Sequence, residues 1–153
     1  MFLQVYFFIT NIYGWVVWRN QFQEKKPVSS LLPKTRIMLI LLTIICSFIF
    51  GILIKNIHLL LPTVFVHPAS FPFIDTFIAI ASIIGTILLA KRIIDNWVVW
   101  LIVDLICVFV YALKHIMFIS FEYGVFCFLA YLGLFSWLKS IRNNKKLITS
   151  TQK

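Results

Sequence analysis

Apolar residues run through this chain in long unbroken blocks, separated by short polar or basic stretches. Five blocks can be read: Met1–Trp18, about Ile37–Ile54, about Phe73–Ala90, about Trp97–Leu113 and about Phe121–Leu138. Each is near the ~20 residues an α-helix needs to cross the hydrocarbon core. A transmembrane β-barrel would alternate apolar and polar positions, and these blocks do not. The pattern predicts an all-α integral membrane protein with five transmembrane helices. A secretory signal peptide is the other reading of Met1–Trp18, but the block has no basic start, and Gln4, Thr10 and Asn11 interrupt it. Met1 already lies inside a hydrophobic span, as expected of a minimal protein or of the later part of a longer one.

Composition agrees with the pattern. The chain has 153 residues, of which 61% are hydrophobic and 12% charged, and its mean hydropathy is +0.98. These values exclude an ordinary soluble domain. The net charge of +9 raises nucleic acid as a partner, but the basic residues flank the apolar blocks and form no helical face, so no nucleic-acid binding is expected. They set topology instead. Arg19, Lys25, Lys26, Lys34 and Arg36 lie in the first loop, Lys91 and Arg92 in the third, and Lys139, Arg142, Lys145, Lys146 and Lys153 in the tail. The second and fourth loops carry only Lys55 and Lys114. The expected protein is a multi-pass protein of the cell inner membrane, with its N-terminus outside and C-terminus cytoplasmic. An odd number of spans agrees. Pro62, Pro68 and Pro72, with Phe65, Phe71 and Phe73 among them, make the second loop an interfacial segment on the outside. The tail after Arg142 is polar and reads as disordered. Cys46, Cys107 and Cys127 sit inside apolar blocks without metal-ligand spacing and read as packing residues.

The most unusual residue is Asp104, a carboxylate inside the fourth block. An acid at mid-bilayer costs a few kcal/mol or more, and such residues mark sites. At ~100° per residue, Trp97, Trp100, Asp104, Cys107 and Tyr111 share one stripe. It resembles a cavity wall suited to something flat, polar and cationic. Gln4 and Asn11 share a face of the first helix that Trp15 and Trp18 continue. There is also an internal echo: Gly14-x-x-x-Trp18 and Gly133-x-x-x-Trp137 both precede a basic residue, which suggests a parallel repeat.

These residues resemble a known family. Leu3-Gln4-Val5-Tyr6-Phe7-Phe8 through Asn11-Ile12-Tyr13-Gly14-Trp15-x-x-Trp18 is similar to the third helix of the PnuC family of vitamin transporters. Phe71-Pro72-Phe73-x-Asp75, then Asn96-Trp97-x-x-Trp100, Asp104, Tyr111 and Glu122-Tyr123, resemble its last three helices in order. The resemblance implies a seven-helix fold of three, a linker and three, like that of the SWEET sugar carriers, of which this chain matches helices three to seven. It assigns 1–18 to the last helix of the first repeat. Residues 19–72 become a basic cytoplasmic loop, a linker helix over 37–54 and an outside interfacial loop, 73–139 the second three-helix repeat, and 140–153 a polar cytoplasmic tail. It also implies transport of nicotinamide riboside by facilitated diffusion, and a homotrimer.

The residues expected to bind substrate are Gln4, Asn11, Trp15, Asn96, Trp97, Trp100, Asp104, Tyr111 and Tyr123. Indole faces attract a pyridinium by ~0.5–2 kcal/mol per good contact. The bland alternatives stay open here: an interfacial aromatic belt for the tryptophans, and interhelical hydrogen bonds for Gln4, Asn11 and Asp104. Asp104 has two functional readings, as partner of the substrate cation or as carrier of a coupling proton. No P-loop, nucleophile elbow, His-Glu-x-x-His or Rossmann glycine pattern is present, so neither enzyme activity nor a cofactor is expected. The expected partners are the lipid bilayer and a small-molecule substrate. The alternatives are a carrier for another vitamin such as thiamine, or an inactive or structural membrane subunit lacking the first two helices.

Overall fold

The computed structural model describes residues 2–23, 28–60 and 70–151. It contains five helices: α1 (Phe2–Gln23), α2 (Pro33–Leu60), α3 (Pro72–Ala90), α4 (Asp95–Leu113) and α5 (Met117–Thr151). Four have stretches long and apolar enough to cross a membrane, Pro33–Asn56, Pro72–Ala90, Asp95–Leu113 and Met117–Asn143, while the apolar part of α1 spans Val5–Val17. The chain is thus all-α and built for a bilayer. The second loop's interfacial segment at 61–69 lies outside the described residues.

The helices extend beyond the apolar blocks. Hydropathy marks the depth of the hydrocarbon, whereas a helix ends where its hydrogen-bond ladder is capped. Pro33 and Pro72 open α2 and α3, where the missing N–H matters least and φ is preset. At the other extreme, α5 continues to Thr151 through the basic segment expected to be a disordered tail. Adding a turn to an existing helix fixes one residue per hydrogen bond, with no new nucleation step.

Two compact units are present: residues 1–31 with 82–153, and residues 32–81. In the second unit, α2 meets the first half of α3 along a seam of small residues. Thr43, Ser47 and Gly51 recur at i, i+4 and i+8 and are buried, which lets two helices approach closely. Thr76 Oγ1 donates to the Ser47 carbonyl at 3.0 Å. The Phe73 ring lies directly over Gly51 and stacks on Phe48 at 5.7 Å.

In the first unit, α4 and α5 pack along each other. Ser120 Oγ donates to the Val108 carbonyl at 2.8 Å, and Cys127 Sγ approaches the Leu101 carbonyl at 4.0 Å. Ala130 is buried in the same row, and Gly133 lies against Trp97. The α1 helix joins this unit through the Tyr6 hydroxyl, which donates to the Ile83 carbonyl at 3.4 Å, and through Gly14, which sits beside Ala90.

The turns after α3 and α4 have the same construction. Arg92 N–H bonds Leu89 O and Ile93 N–H bonds Leu88 O; His115 N–H bonds Ala112 O and Ile116 N–H bonds Tyr111 O. This is the Schellman pattern, which needs one left-handed residue. Arg92 at φ 57° and His115 at φ 58° supply it where glycine is usual.

Candidate functional site

Helix α4 carries five of the nine expected contacts, and its first turn is unusually polar. Asp95 and Asn96 are both buried. Asp95 favours the positive end of the helix dipole, and its Oδ2 accepts the Leu31 N–H at 2.8 Å. Asn96 is 0% exposed, and its Nδ2 donates to the Ile93 carbonyl. Its Oδ1 has no hydrogen-bond partner, and neither does the buried indole Nε1 of the adjacent Trp97. An unpaired buried polar group costs about 1–3 kcal/mol. An acceptor and a donor left unpaired on consecutive buried residues therefore call for an explanation.

The aromatic stripe divides between two neighbours. Trp97 turns toward α5, edge-on to Trp137 at 5.5 Å, and its ring fills the space left by Gly133. Trp100 turns toward α3, where a Cβ on Gly85 would sit 3.3 Å from its Nε1. Asp104, 4% exposed, lies in the α4–α5 seam. It is close enough to Tyr123 and Cys127 of α5 to act on both electrostatically. Tyr111 stacks on Tyr123 with centroids 5.4 Å apart, and Lys114 Nζ sits 5.8 Å from the Tyr111 ring centre. Asp104, Tyr111, Tyr123 and Lys114 thus form a row leading from the buried acid to the α4–α5 turn.

The α1 face is not brought to this row. Asn11 is exposed and Trp15 is 66% exposed, with Arg19 6.0 Å from the Trp15 ring. The Gln4 side chain lies outside the described residues. An open cleft between α4 and α5, lined by Val108, Met117, Ser120, Phe121, Gly124, Val125 and Phe128, contains none of the nine. Among the described residues, no group of His, Cys, Asp and Glu could hold a metal ion.

Asp95 and Gly85 were not singled out in the sequence, and Gly133 was not read as the seat of a tryptophan. Gly133 had a signal, since it belongs to the Gly-x-x-x-Trp echo. Asp95 had one too, as an acid in the first turn of a helix beside two basic loop residues.

Comparison with known proteins gives the family of the chain. Residues 1–139 match the nicotinamide mononucleotide transporter family. Two curated relatives, each named nicotinamide riboside transporter PnuC, come from Escherichia coli (strain K12) and Shigella flexneri; each is 29% identical over 160 residues, covering 92% of this chain and 66% of the relative. The chain thus spans just under two thirds of the length of these relatives. No solved structure matches the chain. With the match running from α1 into α5, the chain belongs to the nicotinamide mononucleotide transporter family, a family of membrane transporters and not of enzymes.

Proposed function

We propose that this chain carries nicotinamide riboside across the cell inner membrane by facilitated diffusion. It works as a multi-pass protein with its N-terminus outside and its C-terminus cytoplasmic, and assembles as a homotrimer. The observation that carries this reading is the unpaired couple at the start of α4. Asn96 Oδ1 offers an acceptor and Trp97 Nε1 a donor, both buried and both without partners. A primary carboxamide presents the complementary donor and acceptor. Satisfying two buried groups at once is the kind of recognition that strongly rejects ligands lacking the matching pair. The named activity of the two relatives supports the same substrate.

Trp100 and Trp15 supply indole faces for the pyridinium, and Asn11 and Gln4 supply neutral groups for the ribose hydroxyls, in a form of the carrier that brings the α1 face against α4. Asp104 faces the cation, with Tyr111 and Tyr123 on its outer side. In this reading neither nucleotide hydrolysis nor an ion gradient drives the step, and flux follows the substrate gradient.

Ligand linkage tests the substrate. A ligand that binds only the folded protein adds ~2.7 kcal/mol of stability at a hundred times its Kd. Nicotinamide riboside is expected to raise the melting temperature of the purified chain, and thiamine and riboflavin are not. A shift with thiamine alone transfers the site to another vitamin; no shift with any of them removes the proposal.

A further inference from the structure

A second structural feature holds the chain immediately before the unpaired atoms of Asn96 and Trp97. The last residues before α2 cross the turn between α3 and α4 as a one-residue parallel β-bridge, Ser29 against Ile93. Ser29 N–H donates to Arg92 O at 3.2 Å, and Ile94 N–H donates to Ser29 O at 2.9 Å. Two residues on, Leu31 N–H donates to Asp95 Oδ2 at 2.8 Å. Three hydrogen bonds thus clasp the first loop onto the residues that immediately precede Asn96.

Three aspects of this clasp suit a part that opens. It consists of three single hydrogen bonds, two between backbone groups of connecting segments and one to the Asp95 side chain, and such bonds open more readily than a packed helix pair. Its turn holds Arg92 in the left-handed region at φ 57°, and strain of that kind collects at switch segments. One and two residues beyond Asp95, two polar atoms lie buried without hydrogen-bond partners, so an opening that reaches them relieves a cost as well as breaking bonds. In the closed form Asn96 is 0% exposed, and no carboxamide reaches it.

We infer that the Ser29–Leu31 clasp on Arg92–Asp95 is a gate over Asn96 and Trp97, and that it must release for a ligand to enter or leave at this end of α4. The inference rests on the substrate contact proposed for those two residues, but its test needs no substrate. Asn96→Cys is labelled by a maleimide in the full chain in detergent micelles, with the unsubstituted chain subtracting the native cysteines. Trp97→Cys is the second reporter where Asn96→Cys does not fold.

Labelling is expected to be slow with the clasp intact. Ser29→Pro, which removes the donor to Arg92 O, and Asp95→Ala, which removes the acceptor for Leu31, are each expected to speed it ~5-fold, as loss of one hydrogen bond implies. Asp95→Asn keeps an acceptor oxygen and is expected to leave the rate within about twofold. Rates unchanged by both Ser29→Pro and Asp95→Ala overturn the gate. So does labelling of the intact chain as fast as an exposed control, Ser140→Cys. Failure of nicotinamide riboside to bind or cross leaves the labelling result standing and counts against the proposed function instead.

Discussion

The Trp97 ring occupies the place of a missing side chain at Gly133: a Cβ built there would fall 2.5 Å from the indole. Gly133→Ala therefore forces a large, wedged ring to move, and overpacking of this kind costs about 1–3 kcal/mol. Gly124, on the same helix, has nothing within 4 Å of its would-be Cβ. Gly124→Ala should be neutral or gain up to ~1 kcal/mol from helix propensity. Thermal unfolding in detergent separates the two. In a double-mutant cycle, Trp97→Phe should recover much of the Gly133→Ala loss. Equal effects of the two alanine substitutions would show that the indole does not hold the seam.

That contact also shows where the sequence stops being legible. The five apolar blocks became five helices because length and hydropathy are local properties. The stripe of Trp97, Trp100, Asp104, Cys107 and Tyr111 was legible as one face of α4. Its division was not: Trp97 and Trp100 lie ~60° apart around the helix, which is enough to send one to α5 and the other to α3. Periodicity names a face, not the neighbour that covers it. The α2 seam of Thr43, Ser47 and Gly51 carries a signal, small residues four apart, that was not singled out in the sequence. The clasp was not, because backbone hydrogen bonds between loops have no side-chain signature; only Asp95 contributes a side chain to it.

The turn after α4 offers a stability test away from the site. His115 holds φ 58° at the position where the Schellman pattern favours glycine. A left-handed L-residue costs roughly 1–2 kcal/mol, part of which is returned as backbone entropy of the unfolded chain. His115→Gly should stabilise the protein by up to ~1 kcal/mol, read as a higher melting temperature. His115→Val, branched at Cβ, should lower it. The opposite order would contradict the assigned turn.

Asp104 separates structure from function. Burying a lone carboxylate carries a desolvation cost that its amide isostere avoids. Asp104→Asn is expected to keep the melting temperature of the unliganded protein within what ~1 kcal/mol allows. The same substitution removes the negative charge proposed to face the pyridinium, so affinity for nicotinamide riboside should fall ~10-fold, equivalent to about 1.4 kcal/mol. Unchanged affinity would assign Asp104 to the α4–α5 seam alone.

Transport itself is the most direct measurement. Proteoliposomes holding the full chain, given labelled nicotinamide riboside and no ion gradient, should fill saturably until the inside and outside concentrations are equal. Asn96→Ala and Trp100→Ala, chosen among preparations that stay folded, should each slow filling by ~10-fold, as loss of a buried ligand contact implies. Filling no faster than empty liposomes, or undiminished filling by both variants, would contradict a nicotinamide riboside carrier built around the start of α4.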